Sequence, residues 1–345
     1  MKTLDEIKHY FEVDLKKEVD ALEAKRLVIL NRYSFKLYKT MLKIAGLLIL
    51  TMIILRIVLP NSPLKYGTLL VPATALFAMV FPIVIWVNRA SKFKSVNKEC
   101  KQTLLPKLMM FIQPEMKYQP EAGIDIREFQ DSVIFQGHRI SKYETEDLVT
   151  LKINNVAVKL AEVRALQRSK NSNKSSSGYR SIFSGLFVRA QYPQSFSSNI
   201  IIKKDLRNSI ASRAGKAFLG ETFGGLVDTM TDKIDSLNLT GDRVKIDDTD
   251  FENQFTVYCK NEEYANRVLH PSIRNKMTAF AIQTQYDVQF SFTGNHLNIA
   301  LGLPNLFEWD YSTTFHDFEK FKGYLFQLLF AISMVSNLVD ENKST

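Results

Sequence analysis

The sequence predicts an α+β protein in which a two-helix transmembrane hairpin with a helical stalk precedes a mainly antiparallel-sheet domain with packed helices. Two observations lead to this fold class. Two apolar runs lie close together before residue 90, and after Pro114 the pattern changes to short β-rich runs with a period of two. We predict an amphipathic N-terminal helix over 1–40, the hairpin over 41–87 with spans at 41–59 and 66–87, a stalk helix over 88–113, and the α+β domain over 114–345.

Length and charge bound the class of protein. The chain has 345 residues, with 45 Lys and Arg against 36 Asp and Glu. This length excludes a disulfide miniprotein or a bare membrane hairpin. The two cysteines, Cys100 and Cys259, cannot form a disulfide framework or a zinc site by themselves.

The apolar runs predict the membrane hairpin. Tyr66–Val87 contains 22 residues without a charge, which suffices for a hydrocarbon core of about 30 Å. The run at 41–59 holds Arg56 near one end and Lys43 near the other, and both can snorkel to the interfaces. An ion-pathway role for Arg56 is the alternative interpretation.

Cations flank both ends of the predicted hairpin, whereas its linker offers Lys65 alone. Because short Lys- and Arg-rich loops stay in the cytoplasm, both termini are predicted to be cytoplasmic. The N-terminus lacks a cleavable signal pattern, so the first span is predicted to be an anchor. The flanking cations are Lys25, Arg26, Arg32, Lys36 and Lys39 on one side, and Arg89, Lys92, Lys94, Lys98 and Lys101 on the other.

Two amphipathic stretches, one before and one after the hairpin, predict the stalk. Residues 1–40 and 91–112 each carry apolar side chains at helical spacing. We expect them to pack as an antiparallel pair of helices. A helix lying on the membrane and a seam for a second protomer are the alternatives.

The remainder of the chain predicts the sheet. A Thr-Gly-Asn turn before His296 indicates a hairpin. Helices are predicted at 206–236, 262–269 and 271–284, without the regular alternation of a doubly wound fold. The expected strands are 132–135, 156–160, 182–190, 200–203, 255–259, 288–292 and 297–301.

The last helix admits two interpretations, because Gly323–Val339 contains no charge. It is either a helix buried against the sheet or a third membrane-associated helix. Seventeen residues are the lower limit for a span, and the apolar residues form one stripe, so we favour the buried helix.

A basic, Ser- and Asn-rich stretch is predicted to form a hairpin tip. In a membrane-anchored domain its cations could contact anionic lipid headgroups. Nucleic acid is not expected as a partner, because no recognition motif accompanies the loop. The cations are Arg164, Arg168, Lys170, Lys174 and Arg180.

The sequence offers no motif for catalysis, cofactor binding or metal binding, and we predict no site residue of these three kinds. Residues 215–222 have two glycines at phosphate-loop spacing, but Glu221 stands where the loop requires lysine. The acidic run from Asp247 to Glu252 lacks the glycine of a calcium loop, and we expect it to cap a short helix.

Three stretches, residues 182–204, 244–277 and 288–308, contain a Gly-Leu-Phe strand, an Asp-x-x-Phe-Glu segment and a final Phe-Glu in a fixed order. This order resembles an uncharacterised family of bacterial inner-membrane proteins with a domain of unknown function behind two N-terminal spans. The resemblance covers the chain from about residue 90. Asn266 stands where the family has an arginine. The resemblance implies a bacterial cytoplasmic-membrane protein and no particular catalytic residue.

Three function classes follow. The first is a membrane-anchored, non-enzymatic interaction or scaffold protein that faces the cytoplasm and recruits an unidentified protein or lipid partner. The second is a membrane enzyme with a dispersed site, for which Asp247, Glu252 and His270 are the candidates. The third is an oligomeric pore formed by the hairpins, in which Arg56 would lie on the ion pathway.

Overall fold

The computed structural model describes residues 2–32, 35–58, 67–169, 178–204, 241–284, 286–302 and 306–341. The chain divides into two compact units. The helical unit comprises Leu4–Leu105 and Trp309–Phe318. The sheet unit comprises Met1–Thr3, Pro106–Glu308 and Glu319–Thr345.

The helical unit begins with an amphipathic segment that contains a π-helical turn. Helix α1 (Leu4–His9) leads into the π turn Tyr10–Asp14 and then into α2 (Lys16–Arg32). The backbone N–H of Leu15 donates to the carbonyl of Tyr10, which is a five-residue step. The wider turn offsets the drift of an apolar stripe spaced by four residues, so the stripe stays on one side. The buried stripe is Ile7, Phe11, Leu15, Val19 and Leu22.

Two long helices follow, α3 (Phe35–Val58) and α4 (Gly67–Ile112). Helix α4 has 46 residues, about 69 Å at 1.5 Å per residue, so the segments predicted as second span and stalk are one continuous helix. Lys25 of α2 forms an ion pair with Glu99 of α4. The linker at 60–65 and the Arg56 side chain lie outside the described residues.

A buried ion pair joins α2 to the loop Trp309–Phe318. Arg26 donates from Nη2 to Glu23 Oε1 at 2.8 Å and from Nε to Oε2 at 2.9 Å. Glu23 Oε2 also accepts from the N–H of Phe315, and Arg26 Nη1 donates to the carbonyl of Tyr311. Arg26, counted above as a membrane-flanking cation, is therefore 7% exposed and neutralised within the protein.

In the described ranges, the sheet unit contains one nine-stranded sheet in which every pairing is antiparallel. The strand order is β1-β2-β3-β4-β9-β8-β5-β7-β6. This confirms the α+β class and the antiparallel sheet. The strands are β1 (Lys117–Gln119), β2 (Lys142–Ile153), β3 (Val156–Ser169), β4 (Gly178–Gln191), β5 (Ile200–Lys204), β6 (Asp242–Val244), β7 (Phe255–Cys259), β8 (Val288–Thr293) and β9 (His296–Leu301).

Local turn chemistry explains the predicted hairpin, which is confirmed. Strands β8 and β9 pair from Val288 with Leu301 to Thr293 with His296. The two-residue turn between them begins at Gly294, whose φ of 56° suits glycine at the first turn position.

One strand prediction is wrong. Ser132–Phe135 forms turns, and Val133 has a φ of 54°, which no regular strand adopts. Ser132 donates its hydroxyl to the carbonyl of Phe129, so the segment folds back on the preceding helix. The helix predicted over 206–236 lies outside the described residues.

The segment 120–140 covers one face of the central strands with an aromatic cluster. Its helix α5 (Ile126–Gln130) is capped by Asp125, whose side chain accepts from the N–H of Arg127 at 2.8 Å. The fully buried ring of Phe129 in α5 lies 5.0 Å from that of Phe187 and 6.0 Å from that of Phe183. This helix is thereby fixed on the sheet.

Short helices connect the later strands. Helices α6 (Thr249–Glu252) and α7 (Glu262–Val268) precede α8 (Pro271–Thr284). Asp248 caps α6 and Asn261 caps α7, each through its side-chain oxygen. The cap at Asp248 confirms the interpretation of the acidic run as a helix start.

The C-terminal helix α9 (Phe318–Glu341) supports the buried interpretation of Gly323–Val339. Its described apolar side chains include Leu325, Leu328, Ile332 and Val335, each at most 4% exposed. Within the part of the chain that the structure describes, we find no helix whose length and apolarity would let it cross a membrane. The transmembrane hairpin therefore stays a prediction.

Candidate functional site

The three residues of the dispersed-site hypothesis do not assemble a catalytic group. Glu252 Oε1 accepts from the N–H of Ile246 at 2.9 Å, so this side chain links α6 to the segment that precedes it. The backbone carbonyl of Asp247 accepts from Arg274, and His270 precedes α8. Across the described ranges, the group with three converging acidic or His side chains lies elsewhere. These contacts give Glu252 and the Asp247 backbone structural roles.

The predicted basic tip lies at the end of the β3–β4 hairpin. Arg168 of β3 pairs with Tyr179 of β4, and both residues are exposed. Arg180 is also exposed, whereas Arg164 contacts Glu144 at 3.6 Å. Lys170 and Lys174 lie outside the described residues. The described end of this hairpin therefore presents two arginines beside a tyrosine that is 60% exposed.

An acidic group lies where β2 contains a bulge, and the sequence analysis did not find it. Glu146, Asp147 and Glu162 bring carboxylate oxygens within 4.8 Å of one another. Glu146 stands directly opposite Glu162 in the β2–β3 register, which shifts immediately afterwards. Glu146 and Glu162 line a cavity of about 400 Å³, which Glu121 and Glu144 also line.

Hydrogen bonds hold two of the three carboxylates in place. Asp147 is fully buried, has a φ of 61°, and accepts from the hydroxyl of Tyr118. Glu162 Oε1 accepts from the N–H of Phe307 at 3.0 Å. Oxygen ligands of this type suit Ca²⁺ or Mg²⁺, and without a cation like charges on facing strands repel. The acidic group therefore has the ligand chemistry of a cation site.

A buried polar layer on β4, β9 and β8 contacts α5 and the turn that follows it. Arg189, Asn298 and Ser291 stand side by side on β4, β9 and β8 and are all buried. Arg189 Nη1 donates to the carbonyl of Glu128 at 2.8 Å and to Asn298 Oδ1 at 3.2 Å. Ser291 donates to the carbonyl of Ser132 at 2.6 Å. The layer thus binds backbone carbonyls of the segment that covers it.

Burial perturbs the ionisable groups of this layer. Desolvation lowers the pKa of Arg189, and the nearby carboxylates of Glu128 and Asp131 oppose this shift. Desolvation, reinforced by the Arg189 charge, lowers the pKa of His296. A lowered His pKa favours the neutral ring near pH 7. The hydrogen bonds from Arg189 to the Glu128 carbonyl and to the Asn298 side chain indicate a structural role for the layer.

The helical unit carries a large exposed apolar surface. Its members lie on α3 and on the first part of α4, and several are more than half exposed. Contiguous exposed apolar surface in a folded protein marks contact with another protein or with a membrane. The described members are Leu42, Ile44, Leu47, Leu50, Ile53, Ile54 and Ile57 of α3, and Val80, Ile83, Val84, Trp86 and Val87 of α4.

Comparison with known protein families finds a match that begins within the sheet, in β4. Residues 181–339 match the family model described as "Protein of unknown function (DUF3137)". This stretch is similar to the DUF3137 family. It includes most of β4 and the strands β5 to β9, while β1 to β3 precede it. No curated protein and no solved structure matches the chain.

The matched stretch contains part of the polar layer, whereas the exposed apolar side chains of α3 and α4 lie before it. Arg189, Ser291 and Asn298 of the polar layer lie within it, and the carbonyls that they bind lie before it. The acidic group also lies before it. The description of the family gives no activity, so it identifies no substrate or catalytic residue.

Proposed function

We propose that the protein is a bacterial inner-membrane protein whose hairpin, at 41–59 and 66–87, anchors a non-enzymatic interaction module with both termini in the cytoplasm. The exposed apolar surface of α3 and α4 carries this proposal. Leu47 is 62% exposed, Ile57 is 73% exposed and Ile83 is 60% exposed. Burying such side chains in hydrocarbon is favourable by about 25 cal/mol per Å² of apolar surface.

The flanking residues support the same proposal. Trp86, at the end of the uncharged run, is 66% exposed, and tryptophan favours the membrane interface. Exposed Lys92 and Lys94 follow on the same helix. Cations near span ends favour the cytoplasmic side, which supports a cytoplasmic position for the residues after Val87.

The basic hairpin tip extends the proposal to the lipid headgroups. Arg168 and Arg180 supply positive charge near Tyr179, an aromatic side chain of the kind that favours the interface. In an anchored protein these residues, with Arg164, Lys170 and Lys174, would interact with an anionic leaflet. A photoreactive group at residue 179 should crosslink phosphatidylglycerol, and Arg168→Gln with Arg180→Gln should reduce the yield. An unchanged yield would contradict this role.

The anchor itself has a direct test. Leu47→Arg combined with Leu50→Arg should drive the protein out of carbonate-washed membranes, because both residues lie near the middle of the 41–59 span, where each arginine costs about 2.5–3.5 kcal/mol. The matched control is Ile282→Arg, since Ile282 is 58% exposed in the sheet unit. This control should leave membrane retention unchanged.

Two outcomes would contradict the anchor. One is a wild-type protein that carbonate removes from the membrane. The other is a pair of terminal tags, at Met1 and Thr345, that label from opposite sides of sealed vesicles. Labelling of both tags only after permeabilisation of right-side-out vesicles is the expected result.

A further inference from the structure

Arg89 of α4 is a charged side chain held by aromatic rings. Its guanidinium carbon lies 5.8 Å from the ring centroid of Phe93 and 5.4 Å from that of Tyr311. Both distances fit cation–π contacts. Its Nε is buried and has no hydrogen-bond partner. Among the described residues, no carboxylate forms an ion pair with this guanidinium.

The rings that hold Arg89 are themselves fixed. Phe93 and Tyr311 stack with centroids 4.4 Å apart and planes 15° apart. Phe93 is buried on α4, and the Tyr311 carbonyl accepts from the buried Arg26. A guanidinium on such a support is pre-oriented, so less rotamer entropy is lost when it binds a ligand.

The position of Arg89 on α4 identifies the ligand class. Arg89 is the first charged residue after the uncharged run that ends at Val87, about 3 Å further along the helix axis. In an anchored protein that level is the headgroup region. Guanidinium binds phosphate oxygens through two parallel hydrogen bonds, and aromatic rings cannot neutralise its charge.

We propose that Arg89, held by Phe93 and Tyr311, binds the phosphate of an anionic phospholipid headgroup. This inference rests on the proposed membrane anchor. Lys92 provides a comparison on the next turn of the same helix: it is exposed, and no aromatic contact to it is seen in the described part of the chain. Lys92 therefore represents a surface cation that no aromatic rings hold in one orientation.

The test uses the full-length protein extracted from nanodiscs of phosphatidylcholine with and without phosphatidylglycerol. Native mass spectrometry measures the retained phosphatidylglycerol. Arg89→Gln should lower its retention about tenfold, the scale of a lost charge-assisted hydrogen bond. Phe93→Leu should produce a partial loss, because the guanidinium remains without its support. Lys92→Gln, which removes the same charge, should retain the wild-type amount.

Three results would overturn the inference. Arg89→Gln could retain lipid like the wild type, or Lys92→Gln could lose as much as Arg89→Gln. Inorganic phosphate could displace the lipid from the wild type, which would indicate a site for a free anion. Carbonate extraction of the same variants separates the two proposals. If the protein stays in carbonate-washed membranes but shows no preference for phosphatidylglycerol, this inference is wrong and the membrane anchor is retained.

Discussion

Replacing Arg26 by alanine is expected to destabilise the helical unit by about 3–5 kcal/mol, because it leaves the Glu23 carboxylate buried without its partner. Glu23 is 8% exposed, and two of its hydrogen bonds come from Arg26. The substitution also removes the donor to the Tyr311 carbonyl. Denaturant unfolding of the full-length protein in detergent, followed by tryptophan fluorescence, measures the change, since Trp309 lies in the affected loop.

The double variant Glu23→Met with Arg26→Leu is the matched control. It replaces both charges by apolar groups of similar size, and we expect it to recover most of the lost stability, because no charge is then buried. A loss below about 1 kcal/mol in Arg26→Ala would show that the carboxylate reaches water after the change. That result would contradict the structural importance of the pair.

The same ion pair predicts a pH dependence. The hydrogen bonds that Glu23 accepts from Arg26 lower the pKa of Glu23 from 4.5 to about 2. The hydrogen bond from the Phe315 N–H acts in the same direction, whereas burial of the carboxylate opposes the shift. Because the folded-state pKa is depressed, the contribution of Glu23 is fully present above pH 4.5 and is lost as the pH falls towards 2. The stability difference between the wild type and Glu23→Gln should shrink across that window. A constant difference would mean that Glu23 does not titrate there.

Phe129→Ala is expected to destabilise the sheet unit by about 3–5 kcal/mol, the usual cost of deleting a buried aromatic ring. Phe129 is fully buried and contacts the rings of Phe135, Tyr143, Phe183 and Phe187. The cavity would open between α5 and strands β3 and β4. Denaturant unfolding measures the loss, and amide exchange should show faster exchange in both strands.

A conservative replacement provides the control for this prediction. Phe129→Leu keeps most of the apolar volume and should cost clearly less than the alanine change. Ile282→Ala, at an exposed position of the same unit, should change stability by less than about 0.5 kcal/mol. Equal losses in the alanine and leucine variants would contradict a packing role for the ring.

Strands with buried apolar runs could be predicted from the sequence, whereas the short strands β1 and β6 and the polar strand β2 could not. Phe255–Cys259 has all five residues buried, and its observed bounds are those predicted. Strand β2 was missed, because its first half alternates between exposed and half-buried residues such as Glu144 and Glu146. Its pairing with β3 stabilises a segment that local β-propensity disfavours.

The acidic group was missed for a different reason. Glu146 and Asp147 are adjacent in the sequence, but Glu162 joins them only through the β2–β3 register. The register shifts after Glu146, where Asp147 adopts a positive φ. A bulge of this kind has no reliable sequence signal. The signal that was present, four polar residues in Glu144–Asp147, indicated only an exposed segment.

The proposed membrane and lipid contacts rest on observations of another kind. The apolar runs were evident in the sequence, and the exposure of Leu47 and Ile83 adds to them. Arg89 was counted only as one of several flanking cations. Its aromatic support depends on Tyr311, which is more than 200 positions away in the sequence, so sequence spacing could not reveal it.

The two outermost strands of the sheet limit self-association. Strands β1 and β6 have three residues each and stand at opposite ends of the strand order. Short edge strands offer few free backbone groups to a second chain. The pairing of β2 with β1 ends at Leu148. On the N-terminal side of Leu148, β2 carries Glu146, Glu144 and Lys142. Charged side chains there would oppose growth of the sheet into fibrils when many copies crowd together.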